Sequence, residues 1–244
     1  MADSDSSEAI IINRNDWREN DSRVVLYTKK FGKLSLVARG AKKMRSKIAG
    51  HIEPISLADI MILKGRAYDY LGSAITRSAY LNIKADLNAL YFVGAALSLF
   101  DRLVKEAAED QELFNFLTSW LDNLEANLNE PLSKENGELL YDYFSLRLLA
   151  ILGYRPELYH CLECHRKIEP GANYFNLRLG GLICSDCLST SQNKYLPNEL
   201  LAVSDNCIKL LRIFSESDKY PVIKTNSVLI RELSRLIKTF IDFN

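Results

Sequence analysis

Arg23-Val24-Val25-Leu26-Tyr27-Thr28 and Leu34-Ser35-Leu36-Val37-Ala38-Arg39, joined through Lys29-Lys30-Phe31-Gly32-Lys33, are the residues on which the fold turns. The first run is β-branched and aromatic, and the second partly alternates. Between them Lys30-Phe31-Gly32-Lys33 supplies a glycine-bearing turn, so residues 23–39 predict a β-hairpin. Three further strand-like runs flank it: the apolar residues 9–12 (AIII), the alternating residues 55–63 (ISLADIMIL), and residues 68–75, which follow the turn Lys64-Gly65-Arg66. Five short strands in so short a stretch predict a small closed or partly closed barrel over residues 9–80. An open hairpin stack would leave unpaired edges.

Ahead of the barrel stand residues 1–8 (MADSDSSE), acidic and polar, for which disorder is the expectation. They carry no basic region followed by an apolar one, so neither a secretory signal nor a transit peptide is read there. The longest nearly apolar run, residues 89–100, has twelve residues. A membrane span needs about twenty. A cytosolic protein without a membrane partner is the expectation, and 48% hydrophobic with 25% charged residues is an ordinary globular composition.

From about residue 83 the hydrophobic period changes to that of helices. Leu87, Leu90, Tyr91, Gly94, Leu97 and Leu99 make one stripe; Leu113, Phe116, Leu117, Trp120, Leu121 and Leu124 make a second. A third runs from Leu139 to Ile151 and ends at Gly153 and Pro156, and two more surround Leu211 and Leu233. The fold class is therefore α+β, with strands over 9–80 and a helical domain over 81–244.

The cysteines carry the most specific signal. Cys161, Cys164, Cys184 and Cys187 read C-x2-C-x19-C-x2-C, within the spacing of tetrahedral zinc sites. Each two-residue gap presents a pair of thiolates, and the long gap folds the second pair back onto the first. A zinc-binding insert at about 158–190 would gain folding energy from the ion. A disulfide framework would need an oxidising compartment, and a redox Cys-x-x-Cys would want a βαβ setting. His160, Glu163 and His165 lie beside the first pair and leave ligand exchange open, but four thiolates close the shell and favour a structural Zn2+. Cys207 reads as a small buried residue. The chain has no G-x-x-x-x-G-K-[ST], no G-x-G-x-x-G and no separated Ser/His/Asp set, so no catalytic centre is visible.

Charge supplies the second signal. The chain is neutral with 31 basic and 31 acidic residues, yet residues 22–52 hold nine Lys or Arg and no Asp or Glu. Five of these cations, Arg39, Lys42, Lys43, Arg45 and Lys47, crowd a nine-residue loop between two predicted strands. Such a loop suits phosphate, where each neutralised contact releases counterions. Tyr27, Phe31, Tyr68 and Tyr70 are available as stacking platforms, although each taken singly fits a core position.

Three strings carry a family resemblance: residues 31–43 (FGKLSLVARGAKK), residues 149–158 (LAILGYRPEL) leading into Cys161, and Gly180-Gly181-Leu182-Ile183 leading into Cys184. Over roughly residues 9–240 the chain resembles the bacterial recombination mediators of the RecO family. The resemblance implies an N-terminal OB-fold, a helical C-terminal domain carrying the zinc knuckle, and a non-enzymatic role in DNA repair at the nucleoid. It further implies binding of single- and double-stranded DNA, annealing of complementary strands and, with RecR, loading of recombinase onto DNA coated by single-strand binding protein. By position, Lys33, Arg39, Lys42, Lys43, Arg45 and Lys47 become the candidate DNA contacts, and the four cysteines the metal ligands. The acidic, apolar tail of single-strand binding protein would be captured by the helical domain, with Arg147, Arg155, Lys209 and Arg212 as candidates. One departure is His165, at a position where such knuckles often carry glycine. A different reading stays open, that of a zinc-stapled RNA- or protein-binding module without annealing activity.

Overall fold

The computed structural model describes residues 4–106, 109–190, 194–221 and 223–243. The chain divides into two compact units, residues 1–132 and 133–244. The change of period near residue 80 is real, but by compactness the first three helices group with the barrel.

In the first unit β1 (Ser4–Asp16), β2 (Ser22–Thr28), β3 (Gly32–Ala38), β4 (Ser56–Leu63) and β5 (Tyr70–Ser78) close into a barrel of order β1-β2-β3-β5-β4. β1 serves two neighbours: residues 4–11 pair with β4 and residues 9–16 with β2, with an irregularity between Ile11 and Asn13 that lets the strand bend. Closure comes from one parallel step, Val37 opposite Tyr70. Alternate residues point inward, as strand geometry requires: Val24 and Leu26, Leu36 and Ala38, and Ala58, Ile60 and Ile62 make the core with Ala9, Ile11 and Leu71.

Residues 4–8 are strand and not the expected disordered tail, while Met1–Asp3 lie outside the described residues. The polar composition hid the strand because its pairing with β4 is made by backbone. Side chains then fix it: Ser7 Oγ accepts the Lys30 N–H at 3.2 Å, and Glu8 receives Lys29 at 3.0 Å and Arg77 as well.

Helices α1 (Leu81–Ala85), α2 (Leu87–Leu103) and α3 (Gln111–Asn127) complete the first unit. Asp86 caps α2 by accepting the Ala89 N–H at 2.7 Å, and Asp110 caps α3 through the N–H groups of Glu112 and Leu113. They are bound to the barrel side by side chains: Tyr27 meets Phe100 edge-on at 5.0 Å, and Lys84 Nζ donates to Ser56 Oγ at 2.9 Å.

The second unit comprises α4 (Lys134–Ile151), β6 (Asn173–Asn176), β7 (Gly181–Cys184), α5 (Ser185–Thr190), β8 (Leu200–Val203), α6 (Asp205–Glu216) and α7 (Ser227–Phe243). β6 is the centre of a three-stranded antiparallel sheet of order β7-β6-β8. The helices answer the hydrophobic stripes; the sheet has no counterpart in the sequence reading, since four-residue strands are too short to show a period. α4, α6 and α7 bury Leu140, Phe144, Leu211, Phe214, Leu233 and Ile237, and Phe240 of α7 meets Phe175 of β6 edge-on at 5.3 Å. No helix among the described residues is long and apolar enough to cross a membrane.

Asp142 of α4 is 2% exposed within this helical core. Ser234 of α7 donates a hydrogen bond to its Oδ2 at 2.6 Å, and Glu138, Cys207 and Tyr220 surround it without supplying a cation. Burial pushes its carboxyl up to about 7, and the Ser234 hydrogen bond opposes the shift. The unfolded chain releases this proton at ordinary carboxylate pH, so the group's contribution to stability is full in acid and is lost as pH rises through about 7. Asp142→Asn, which keeps an acceptor for Ser234, should raise Tm at pH 8 by several degrees, raise it less at pH 5 and change it little below about pH 4, as read by thermal melts across this range.

Candidate nucleic-acid interface and metal centre

The cationic loop after β3 is anchored by its backbone while its charges project. Gly40 adopts φ +64°, its N–H donates to Asp21 Oδ1 at 2.9 Å, and the Lys42 N–H donates to Asn20 O at 3.0 Å. Arg14 reaches from β1 to the Ala49 carbonyl at 3.2 Å and to Glu53 at 2.5 Å, and Ala41 and Ile52 are buried. Lys42, Lys43, Arg45 and Lys47 are exposed. Lys42 pairs with Asp16 at 3.1 Å, an exposed contact of the kind worth at most about 1 kcal/mol, which a phosphate can displace.

Lys33 does not belong with them. It is 8% exposed, and its Nζ donates to Asp101 O at 2.6 Å and Oδ1 at 3.2 Å. Its charge is spent inside the unit, bridging β3 to α2, a partner 68 residues away that no local pattern marks.

The aromatic candidates separate in the same way. Tyr27 is fully buried, burial pushes its hydroxyl up to about 12, and Phe31 packs on the barrel core. Tyr68 and Tyr70 remain available, and Trp17, which the sequence reading passed over, joins them. Trp17 is 40% exposed in the β1–β2 connection, with its ring 6.2 Å from Tyr68. Tyr68 lies 5.9 Å from Tyr70. Each ring carries a guanidinium: Arg23 at 5.2 Å over Trp17, Arg18 at 2.8 Å from the Tyr68 hydroxyl, and Arg39 at 3.8 Å over Tyr70. The signal available was a tryptophan beside an arginine inside the polar stretch Asn15 to Asp21, where no core could claim it.

The β4–β5 turn presents two of these rings. Asp69 holds it, accepting from Gly65 N at 3.2 Å and Lys64 Nζ at 3.0 Å. A Cβ at Gly65 would collide with the Tyr68 carbonyl oxygen and stand 2.8 Å from the Tyr70 ring. The glycine is needed for this close approach.

In the second unit the four cysteines converge. Cys161 and Cys164 come from the knuckle that follows Leu158, Cys184 ends β7, and Cys187 lies in α5. Their Sγ atoms all lie within 4.8 Å of one another, and Cys164 and Cys184 are 3.9 Å apart. Thiolates at about 2.3 Å from a tetrahedral ion stand about 3.8 Å apart, whereas a disulfide would need about 2.05 Å. All five cysteines are free.

Backbone geometry builds the knuckle. The His165 N–H donates to Cys161 O at 2.9 Å and the Cys161 N–H to Arg166 O at 2.9 Å. His165 sits at φ +58°, in the left-handed region that glycine adopts most readily. The Cys184 N–H points at Cys161 Sγ at 3.5 Å, and Arg166 Nε stands 3.5 Å from Cys164 Sγ. Arg166 pulls the Cys164 thiol down to about 6, favouring the thiolate that a metal requires. Gly181 lets the second knuckle close on the first, since a Cβ there would stand 2.9 Å from Leu162. Glu163 is held by Lys194 and Tyr195 and His160 faces Glu157, so neither joins the four thiols.

The proposed partner cations are not brought together as a set. Arg147 donates to Ser215 O at 3.0 Å, and Arg212 donates twice to Leu158 O, at 3.0 and 2.7 Å, while stacking 4.5 Å over Tyr159. Both fasten the unit internally; Arg155 and Lys209 are exposed.

A five-stranded barrel closed in the order 1-2-3-5-4 is the OB class, here followed by a helical unit with a four-thiol knuckle. Residues 1–80 match the family model for Recombination protein O N terminal and residues 84–244 that for Recombination protein O C terminal. The chain belongs to the RecO family. Relatives named DNA repair protein RecO include one from Dehalococcoides mccartyi (strain CBDB1), 30% identical over 97% of this chain and 89% of its own length. Another, from Roseiflexus sp. (strain RS-1), is 34% identical over 84% of this chain and 68% of its own length. A third, from Desulforamulus reducens, is 27% identical over 97% and 88%.

Cobalt(II) added to metal-stripped protein should bind one ion per chain with strong thiolate-to-metal absorption and the visible bands of a tetrahedral site. Cys184→Ser should weaken both, and chelation should lower the Tm of the native protein. Unchanged spectra in that variant would remove Cys184 from the ligand set.

Proposed function

We propose that this protein is a DNA repair and recombination mediator whose barrel rim holds single-stranded DNA. The carrying observation is the run of three rings, Trp17, Tyr68 and Tyr70, each with its own guanidinium. The anchored cationic loop supplies the electrostatic half. Bases stack on rings regardless of sequence, and cations track the backbone, the combination that non-specific single-strand binders use. Connections at this end of an OB barrel, β1–β2 and β4–β5, are the ones suited to oligonucleotides.

The reaction follows from electrostatics. Lys42, Lys43, Arg45 and Lys47 take up phosphate charge and lower the repulsion between two strands, so base pairing does the recognising. Annealing of complementary strands, and weaker hold on duplex DNA, are the consequences. Zinc at the four thiols is structural: it completes a closed shell and stabilises the second unit. With RecR, the protein assists the loading of recombinase onto DNA coated by single-strand binding protein. The acidic, apolar tail of that protein meets the second unit, where Arg155 and Lys209 remain the exposed candidates.

Anisotropy with a labelled single-stranded DNA, titrated with salt, separates the two halves of the interface. Neutralising Lys42, Lys43, Arg45 and Lys47 to Gln should reduce the log–log salt slope by about 2 to 3, at about 0.7 per phosphate. The loss should be alike for all sequences. Trp17→Ala with Tyr68→Ala should leave the slope in place and cost about 1–3 kcal/mol per unstacked base. A sequence-dependent loss in the first variant, or a preference for duplex RNA in the native protein, would contradict the proposal.

A further inference from the structure

We propose that Met44, at the tip of the cationic loop, is a base contact: its thioether packs on the face of an unpaired base and makes the loop favour single-stranded over duplex DNA. Met44 is 103% exposed, more than any other large apolar side chain among the described residues. An isolated exposed apolar residue needs no explanation by itself. This loop, however, sorts its apolar residues. Ala41 and Ile52 are buried in the barrel core and Ile48 packs against it, while Met44 is left outside.

The backbone holds it there. Two successive turns build the tip: the Lys43 N–H donates to Gly40 O at 3.1 Å and the Ser46 N–H to Lys43 O at 2.9 Å, which makes Met44 and Arg45 the central residues of the second turn. The base of the loop is tied down by the Lys42 N–H on Asn20 O and the Gly40 N–H on Asp21. Both chain neighbours of Met44, Lys43 and Arg45, are exposed cations. A strand whose phosphates meet those two cations brings its bases within reach of the side chain between them.

The chemistry of the side chain selects the target. Methionine is unbranched and flexible, and its polarisable sulfur makes favourable contacts with aromatic rings, so it settles on a base of any identity. In a single strand the base faces are open. In a duplex an apolar wedge must first unstack a base step, which costs free energy. Phosphates are present in both forms, so Lys42, Lys43, Arg45 and Lys47 do not by themselves tell one from the other. Met44 does. Annealing closes the faces that it needs, which withdraws this contact and loosens the hold on the product while the ionic part remains. The inference rests on the reading of this loop as a DNA contact, and adds to it the residue that separates single strand from duplex.

Isotopic labelling of methionine methyl groups gives a direct readout, since the chain has three methionines. When the full chain binds a short single-stranded DNA, the Met44 methyl resonance, assigned by its loss in Met44→Leu, should move upfield in the ring current of a base. Met44→Ala should weaken single-strand binding about three- to tenfold, which is what half-burying a methionine side chain is worth. The salt slope and the affinity for duplex DNA should stay as they are, and Met44→Leu should bind as the native protein does. A strand that binds with the salt dependence of the charged loop while the Met44 methyl stays in place would overturn this inference alone. So would a Met44→Ala loss equal for duplex and single strand. A strand that does not bind, or whose binding ignores neutralisation of the four cations, would overturn the functional reading and this inference together.

Discussion

The first unit depends on one backbone step. β3 and β5 meet through Val37 and Tyr70, with the Val37 N–H donating to Asp69 O at 3.1 Å. Without that step the strands form an open sheet, with β3 as an unpaired edge. With it, Arg39, one residue past the end of β3, lies over the Tyr70 ring. The same closure fixes Asp69, whose carboxylate holds the turn that carries Tyr68. The ring-and-guanidinium run is therefore a product of barrel closure, not a feature of any single segment. Its members are drawn from β2, β5, the end of β3 and two connections, far apart in sequence.

The second unit solves a different problem. Its sheet, with strands of only four residues, buries Phe175, Leu182 and Ile183 in the core, and the knuckle beside it brings four thiols together. Gly181 and the left-handed His165 allow the two cysteine pairs to meet, and Arg212 ties the lead-in to α6 through Leu158. An ion at these thiols would be held by four sulfurs, since Glu163 and His160 are engaged elsewhere.

What was legible in the sequence follows the range of the forces involved. The hairpin over 23–39 and the helical stripes were readable because their patterns are local. The cysteine set was readable because ligand spacing is itself a constraint on geometry. Residues 4–8 were misread, since a strand held by backbone pairing and by the Glu8 ion pairs needs no apolar pattern. Lys33, Arg147 and Arg212 have internal partners that could not be read for the opposite reason. Their charge is visible in sequence, but Asp101, Ser215 and Leu158, which absorb it, lie 54 to 68 residues away. Trp17 was missed because its ring neighbour Tyr68 lies far away in sequence, although Arg23 reaches it locally across the β1–β2 hairpin.

The most direct test of the account uses the emission of Trp17 itself. The chain has two tryptophans, and the other, Trp120, is 4% exposed in the core of the first unit. In a Trp120→Phe protein, Trp17 alone reports. Binding of a short single-stranded DNA should quench its fluorescence saturably, and added salt should restore it as the strand leaves. A strand that binds, as seen by its own anisotropy, while Trp17 emission stays unchanged would contradict stacking at the barrel rim.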